Sequence, residues 1–173
     1  MLLLLIFFVK LIGYFTWSEN VGLTRILKVL TRVGMTGAIW FVYRWIERRG
    51  AVAAFSWGNK YSIGLYAGYL LLGLVSFLWS TDVGYSALQW FMDFESLVFA
   101  YYFMACFVMI DTYFPESGIR LSNILANGIF RKMLIFLVVM GAAPDKFYRK
   151  THGGEEARLG GFIMNPNELG LLG

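Results

Sequence analysis

Tyr61-Ser-Ile-Gly-Leu-Tyr-Ala-Gly-Tyr-Leu-Leu-Leu-Gly-Leu-Val-Ser-Phe-Leu-Trp-Ser-Thr81 runs without one charged side chain. About 20 apolar residues wound as a helix cross the roughly 30 Å hydrocarbon layer of a bilayer. The stretch is bounded by Lys60 and Asp82 and carries tyrosine and tryptophan at its ends, where amphipathic rings suit the interface. It predicts a transmembrane helix.

The rest of the chain has the same character. Hydrophobic residues make up 58% of the sequence and charged residues 15%, and the mean hydropathy is +0.62. A soluble domain carries about 25% charged residues, so this composition argues for lipid as the surrounding medium. Ser96 to Ile110 predicts a second span, approached through Trp90 and Phe91. Met1 to Thr16 is interrupted by Lys10, Val33 to Tyr43 is clamped between Arg32 and Arg44, and Met133 to Pro144 is short. Each reaches across only if flanking Lys or Arg side chains snorkel. The expected fold class is all-α, a polytopic transmembrane protein of about five spans plus the start of a sixth. Residues 1–173 would form a single transmembrane region. The opening Met-Leu-Leu-Leu-Leu-Ile-Phe-Phe has no basic n-region and no small-x-small cleavage site, so it is expected to be a retained span rather than a signal peptide.

Ahead of Val33, Leu23, Ile26, Leu27, Leu30 and Val33 recur at helical spacing, with Arg25, Lys28 and Arg32 opposite. That is the pattern of a basic amphipathic helix in the headgroup layer, continuous or not with the next span, although an ordinary water-facing helix has it too. Orientation follows from loop charge, because basic short loops stay cytoplasmic. Arg44, Arg48, Arg49 and Lys60 precede the Tyr61 span, whereas Asp82 to Glu95, expected as a loop, has no Lys or Arg. The Tyr61 span should therefore run from inside to outside, and the next should return to Arg120, Arg131 and Lys132. A crossing by Met133 to Pro144 would then put Lys146, Arg149, Lys150 and Arg158 outside, against the rule. Either that short helix does not cross or its cations are held outside to bind an anion.

Metal and nucleic-acid chemistry have no residues to carry them. Cys106 is the one cysteine and His152 the one histidine, and a zinc site needs such groups clustered. Cys106 is expected to be lipid- or helix-facing filler, and His152 a solvated loop residue rather than a base. Gly64 and Gly68 give the G-x-x-x-G spacing of close helix packing. Of the charged groups, only Lys10 is expected deep in a span, which favours chemistry at a membrane rim over transport through the bilayer.

The end of the sequence is more specific. Asn165 before Pro166, with Glu168 three residues past the asparagine, predicts a helix start: N-cap, first-turn proline and capping box, with Met164 and Leu169 as hydrophobic staple. Helix capping accounts for Asn165, Pro166 and Glu168 but not for Arg158, which is costly near lipid unless it meets water or an anion. The run Arg158-Leu-Gly-Gly-Phe-Ile-Met-Asn165-Pro166-Asn167-Glu168-Leu-Gly170 resembles the O-antigen ligase and O-antigen polymerase superfamily of bacterial envelope glycan enzymes. Trp79-Ser80-Thr81-Asp82, followed by Ser86, is similar to that family's Trp-Ser-x-Asp motif at the outer end of a span.

The resemblance implies a multi-pass protein of the bacterial inner membrane. It implies transfer of a glycan from undecaprenyl pyrophosphate to an acceptor sugar, or in some relatives a protein, at the outer face. Membrane lipid, a lipid-linked oligosaccharide and an acceptor glycan are the partners, with no cofactor. Arginine suits the pyrophosphate leaving group because its planar fork binds phosphate oxygens in pairs. Arg158 is the residue carried over for pyrophosphate binding; Arg149 and Lys150 join it on charge alone, with a headgroup-facing basic pair as the alternative. No catalytic residue is assigned. The family's long outer loop with its base has no counterpart here, so the chain is expected to be the N-terminal part of a longer protein, inactive by itself. The competing class is a non-enzymatic transporter or a subunit of an envelope polysaccharide assembly complex.

Overall fold

A computed structural model describes residues 2–13, 21–51, 60–115, 120–142, 148–150 and 157–159. Helices account for nearly all of them. In chain order they are α1 (Leu2–Ile12), α2 (Val21–Glu47), α3 (Lys60–Val75) with a 3-10 turn over Ser76–Trp79, α4 (Val83–Tyr113) and α5 (Leu121–Ala142). A two-stranded antiparallel ribbon follows, β1 (Tyr148–Lys150) and β2 (Ala157–Leu159).

Local chemistry fixes the helix ends. The Asp82 side chain accepts the Tyr85 N–H at 2.9 Å and caps α4, satisfying a donor that has no partner within the helix. At the other end α4 gives way at Phe114, just before Pro115, which disfavours helical backbone in the residue ahead of it. Beyond α2 the chain turns at Gly50, whose φ of 86° lies in the left-handed region that glycine enters without strain. Arg44 pairs with Glu47 at 2.7 Å, and the Arg49 guanidinium lies 3.6 Å over the Trp45 ring.

Three helices are long and apolar enough to cross a membrane: α2 from Gly22, α4 and α5. At about 1.5 Å per residue they measure about 39, 46 and 33 Å, each at least the hydrocarbon thickness. The apolar parts of α1 and α3 are shorter, so the described helices do not establish the expected count of about five spans. Leu23 to Tyr43 lies on one helix, the continuous one of the two arrangements expected. Two expectations are corrected. Asp82 to Glu95 is not a loop, because Val83 onward belongs to α4. The span expected at Met133 begins at Leu121, and its full length removes the objection that it is too short to cross.

The chain divides into two compact units, residues 1–35 with 120–173, and residues 36–119, the boundary falling within α2. In the first unit α1 packs along α5. A Cβ on Gly128 would lie 2.5 Å from the Phe7 ring, so only glycine admits this approach. Gly13 is similarly close to Thr31 of α2, whose Cγ2 would be 2.8 Å away.

In the second unit Cys106 is fully buried, and its thiol faces the Ile39 carbonyl at 3.7 Å, so it is helix-facing filler. Trp90 Nε1 donates to the Leu70 carbonyl at 2.8 Å, and the indole edge fills the space left by Gly73. The Tyr69 hydroxyl donates to the Asp93 carboxylate at 2.9 Å, and Tyr66 donates to the Asp93 carbonyl. Gly64 and Gly68 meet nothing within 4 Å, so among the described residues their G-x-x-x-G spacing is not a packing site.

Candidate functional site

The residues expected to bind pyrophosphate meet on the ribbon. Nine positions apart in sequence, Arg149 and Arg158 face each other in its register, and Lys150 faces Ala157. Spacing alone could not reveal this, because the pairing depends on how the chain turns between the strands. Lys150 occupies the adjacent rung and so belongs to the other face of the ribbon. The helix start at Asn165, Pro166, Asn167 and Glu168, and His152, lie outside the described residues.

The Trp79 to Ser86 motif has a structural account. Asp82 caps α4, its backbone N–H donates to Ser80 Oγ at 3.2 Å, and the Ser80 and Ser86 hydroxyls lie 2.7 Å apart. The motif is a helix entrance, built by side chains that compete for backbone donors. The capping role was readable from Asp82 in the sequence, with Tyr85 at the third helical position.

Sequence reasoning missed a group of buried charges. Lys10 on α1, Arg32 on α2 and Lys132 on α5 are 4%, 6% and 4% exposed, although the helices that carry them are otherwise apolar. Glu95 of α4, in the other unit, is also buried and accepts a hydrogen bond from the Thr36 hydroxyl. The helices around the buried cations also carry large apolar side chains on their outer faces. On α2, Thr24 and Arg32 are buried while Leu23, Ile26, Leu27, Leu30 and Val33 are exposed. On α5, Lys132 is buried while Phe130, Leu134, Leu137 and Val138 are exposed. Exposed apolar side chains beside buried Arg32 and Lys132 suit a lipid exterior, where intramembrane charge faces the protein interior, while Arg25 and Arg131 are exposed. The apolar stripe expected around Leu23 is exposed, and Arg32, expected opposite it, is buried. Lys10 is therefore not the one charged group within the helices.

No group of three or more His, Cys, Asp or Glu able to hold a metal occurs among the described residues. Compared with known proteins, the chain matches no family model, no curated protein and no solved structure.

Proposed function

We propose that the chain is a multi-pass protein of the bacterial inner membrane that binds undecaprenyl pyrophosphate and belongs to glycan transfer of the O-antigen ligase or polymerase kind, at the membrane's outer face. The observation that carries the reading is the facing register of Arg149 and Arg158. Two guanidinium forks on one rung match a pyrophosphate, which offers paired oxygens and accumulates charge as it leaves an anomeric carbon. The five-span count belongs to this proposal: α3 with its 3-10 turn extends about 32 Å, taking its 16 α-helical and four 3-10 residues at about 1.5 and 2.0 Å each. The acceptor glycan is met outside the membrane.

The test is binding of an undecaprenyl-pyrophosphate-linked oligosaccharide to the protein in nanodiscs. Arg158→Ala is expected to weaken it about 10- to 100-fold, the worth of a charge-assisted hydrogen bond, and Arg158→Lys substantially, since a point charge lacks the fork. Unchanged binding by Arg158→Ala at equal protein levels contradicts the reading. A transporter of a lipid-linked anion is the second reading, favoured by the burial of Lys10, Arg32, Lys132 and Glu95 within helices, since ionisable groups inside a membrane mark transport paths.

A further inference from the structure

We propose that Asp93 and the aromatic side chains beside it form a site, midway through the membrane on the α3–α4 pair, for an organic cation that dissolves in lipid. The inference goes beyond glycan transfer and takes from that reading only the crossing of the bilayer by α3 and α4.

The Asp93 carboxylate is the centre of the site. Tyr69 of α3 donates to its Oδ2 at 2.9 Å, and among the described residues no Lys or Arg pairs with it. Tyr66 donates to the Asp93 carbonyl at 3.2 Å, and its ring lies 5.7 Å from that of Tyr69. On α4, Trp90 precedes Asp93 by about one turn and so neighbours it on the helix surface. The Trp90 ring stacks on Phe94 at 5.5 Å, and its Nε1 bond to the Leu70 carbonyl ties it to the residue after Tyr69. One carboxylate thus has a pair of rings on each of the two helices that hold it.

Counting along both helices gives its depth. Asp93 lies about 17 Å along α4 from the Asp82 cap. Tyr69 lies about 17 Å from Trp79, through the rest of α3 and the 3-10 turn, and about 14 Å from Lys60 at the other end. Half the hydrocarbon thickness is about 15 Å. At that depth there is neither water nor headgroup, yet the Tyr69–Asp93 bond lies at the protein surface. An ionised carboxylate facing lipid is costly unless positive charge meets it, and one hydroxyl bond offsets only part of that cost.

The rings select the kind of cation. Aromatic faces attract a cation within about 6 Å of their centroids, most strongly where water is excluded. A delocalised or quaternary cation gives up less hydration than a primary ammonium, which also brings three N–H donors that the site would have to satisfy. Exposed Leu65 and Leu72, about one turn to either side of Tyr69, extend apolar surface for the body of such a ligand.

The experiment uses the whole chain in phosphatidylcholine nanodiscs, with tetraphenylphosphonium as the cation and tetraphenylborate as an anion of matching shape. Wild-type protein should bind the phosphonium saturably, above its partition into empty nanodiscs, and should not bind the borate in that way. Asp93→Asn keeps an acceptor for the Tyr69 hydroxyl and should lower phosphonium affinity about tenfold or more without lowering the melting temperature of the free protein. Phe94→Leu should weaken binding about two- to fivefold, the worth of one cation–π contact. Arg158→Ala should bind the phosphonium as wild type does, so that failure of this site and failure of the ribbon site are read separately. Unchanged affinity in Asp93→Asn overturns the proposal, as does equal saturable binding of the borate, which would reduce the site to an apolar patch. So does wild-type protein that shows no saturable phosphonium binding, an outcome that does not depend on any variant folding.

Discussion

The two units of the chain handle polar groups inside apolar helices in opposite ways. The unit built on α3, α4 and the second half of α2 pairs its polar groups with one another: Thr36 donates to buried Glu95, Trp90 to the Leu70 carbonyl and, at the surface, Tyr69 to Asp93. The unit built on α1, the first half of α2 and α5 buries Lys10, Arg32 and Lys132, and its residue ranges carry six more basic than acidic groups. A buried donor matched to a buried acceptor contributes about 1 kcal/mol to the fold and specifies packing. Buried cations cost more, and each of the three keeps polar, ring or electrostatic contacts of its own. The comparison teaches that the two units differ in the sign of the charge they bury, an acid in one and bases in the other.

The sharpest way to break the comparison is to disturb the helix contact within the basic unit. Gly128→Leu drives a side chain into Phe7 and should lower stability by about 2–3 kcal/mol, read as earlier thermal unfolding in detergent. Preserved unfolding temperature would show that α1 and α5 do not pack as described. In the other unit Trp90→Phe removes the bond to the Leu70 carbonyl and should cost about 1–2 kcal/mol without changing pyrophosphate affinity. A fall in affinity there would show that the two units are not functionally separate.

Smaller effects separate motif from scaffold. Asp82→Ala should cost about 1 kcal/mol, the worth of an N-cap, and leave anion binding intact. If it abolished anion binding at an unchanged melting temperature, the Trp79 to Asp82 motif would have a role beyond starting α4. Gly64→Ala should move stability by less than about 0.5 kcal/mol, since no atom waits within 4 Å of the added methyl and alanine favours helix. A loss of oligomer or of stability on that substitution would restore the close-packing role expected from its spacing.

Hydropathy made the helical character and the exposed apolar stripe of Leu23 to Val33 legible, because both are local properties of the chain. Helix lengths were less legible. Arg32, Lys132 and Glu95 look like interruptions of apolar runs, and only tertiary burial lets a helix carry them through without a break. The glycines illustrate the same limit. Gly64 and Gly68 have the spacing associated with packing, yet Gly13, Gly73 and Gly128 make the contacts, since contact depends on what the neighbouring helix presents. At the candidate site, Arg149 and Arg158 could be chosen for their chemistry, but their shared rung follows from strand pairing, which residue spacing does not encode.

The account rests most heavily on the chain crossing a bilayer with the α3–α4 junction at Ser80 to Gly84 and residues 48–60 on opposite sides. Single cysteines at Thr81 and Asn59, tested in intact cells with a membrane-impermeant thiol reagent, examine that directly, with native Cys106 fully buried and therefore silent. The cysteine at position 81 is expected to label and the one at position 59 to stay unlabelled until the membrane is permeabilised, in keeping with Arg44, Arg48, Arg49 and Lys60 on the cytoplasmic side. Labelling of both positions alike, or of position 59 alone, would contradict the membrane arrangement and the outer-face chemistry built on it.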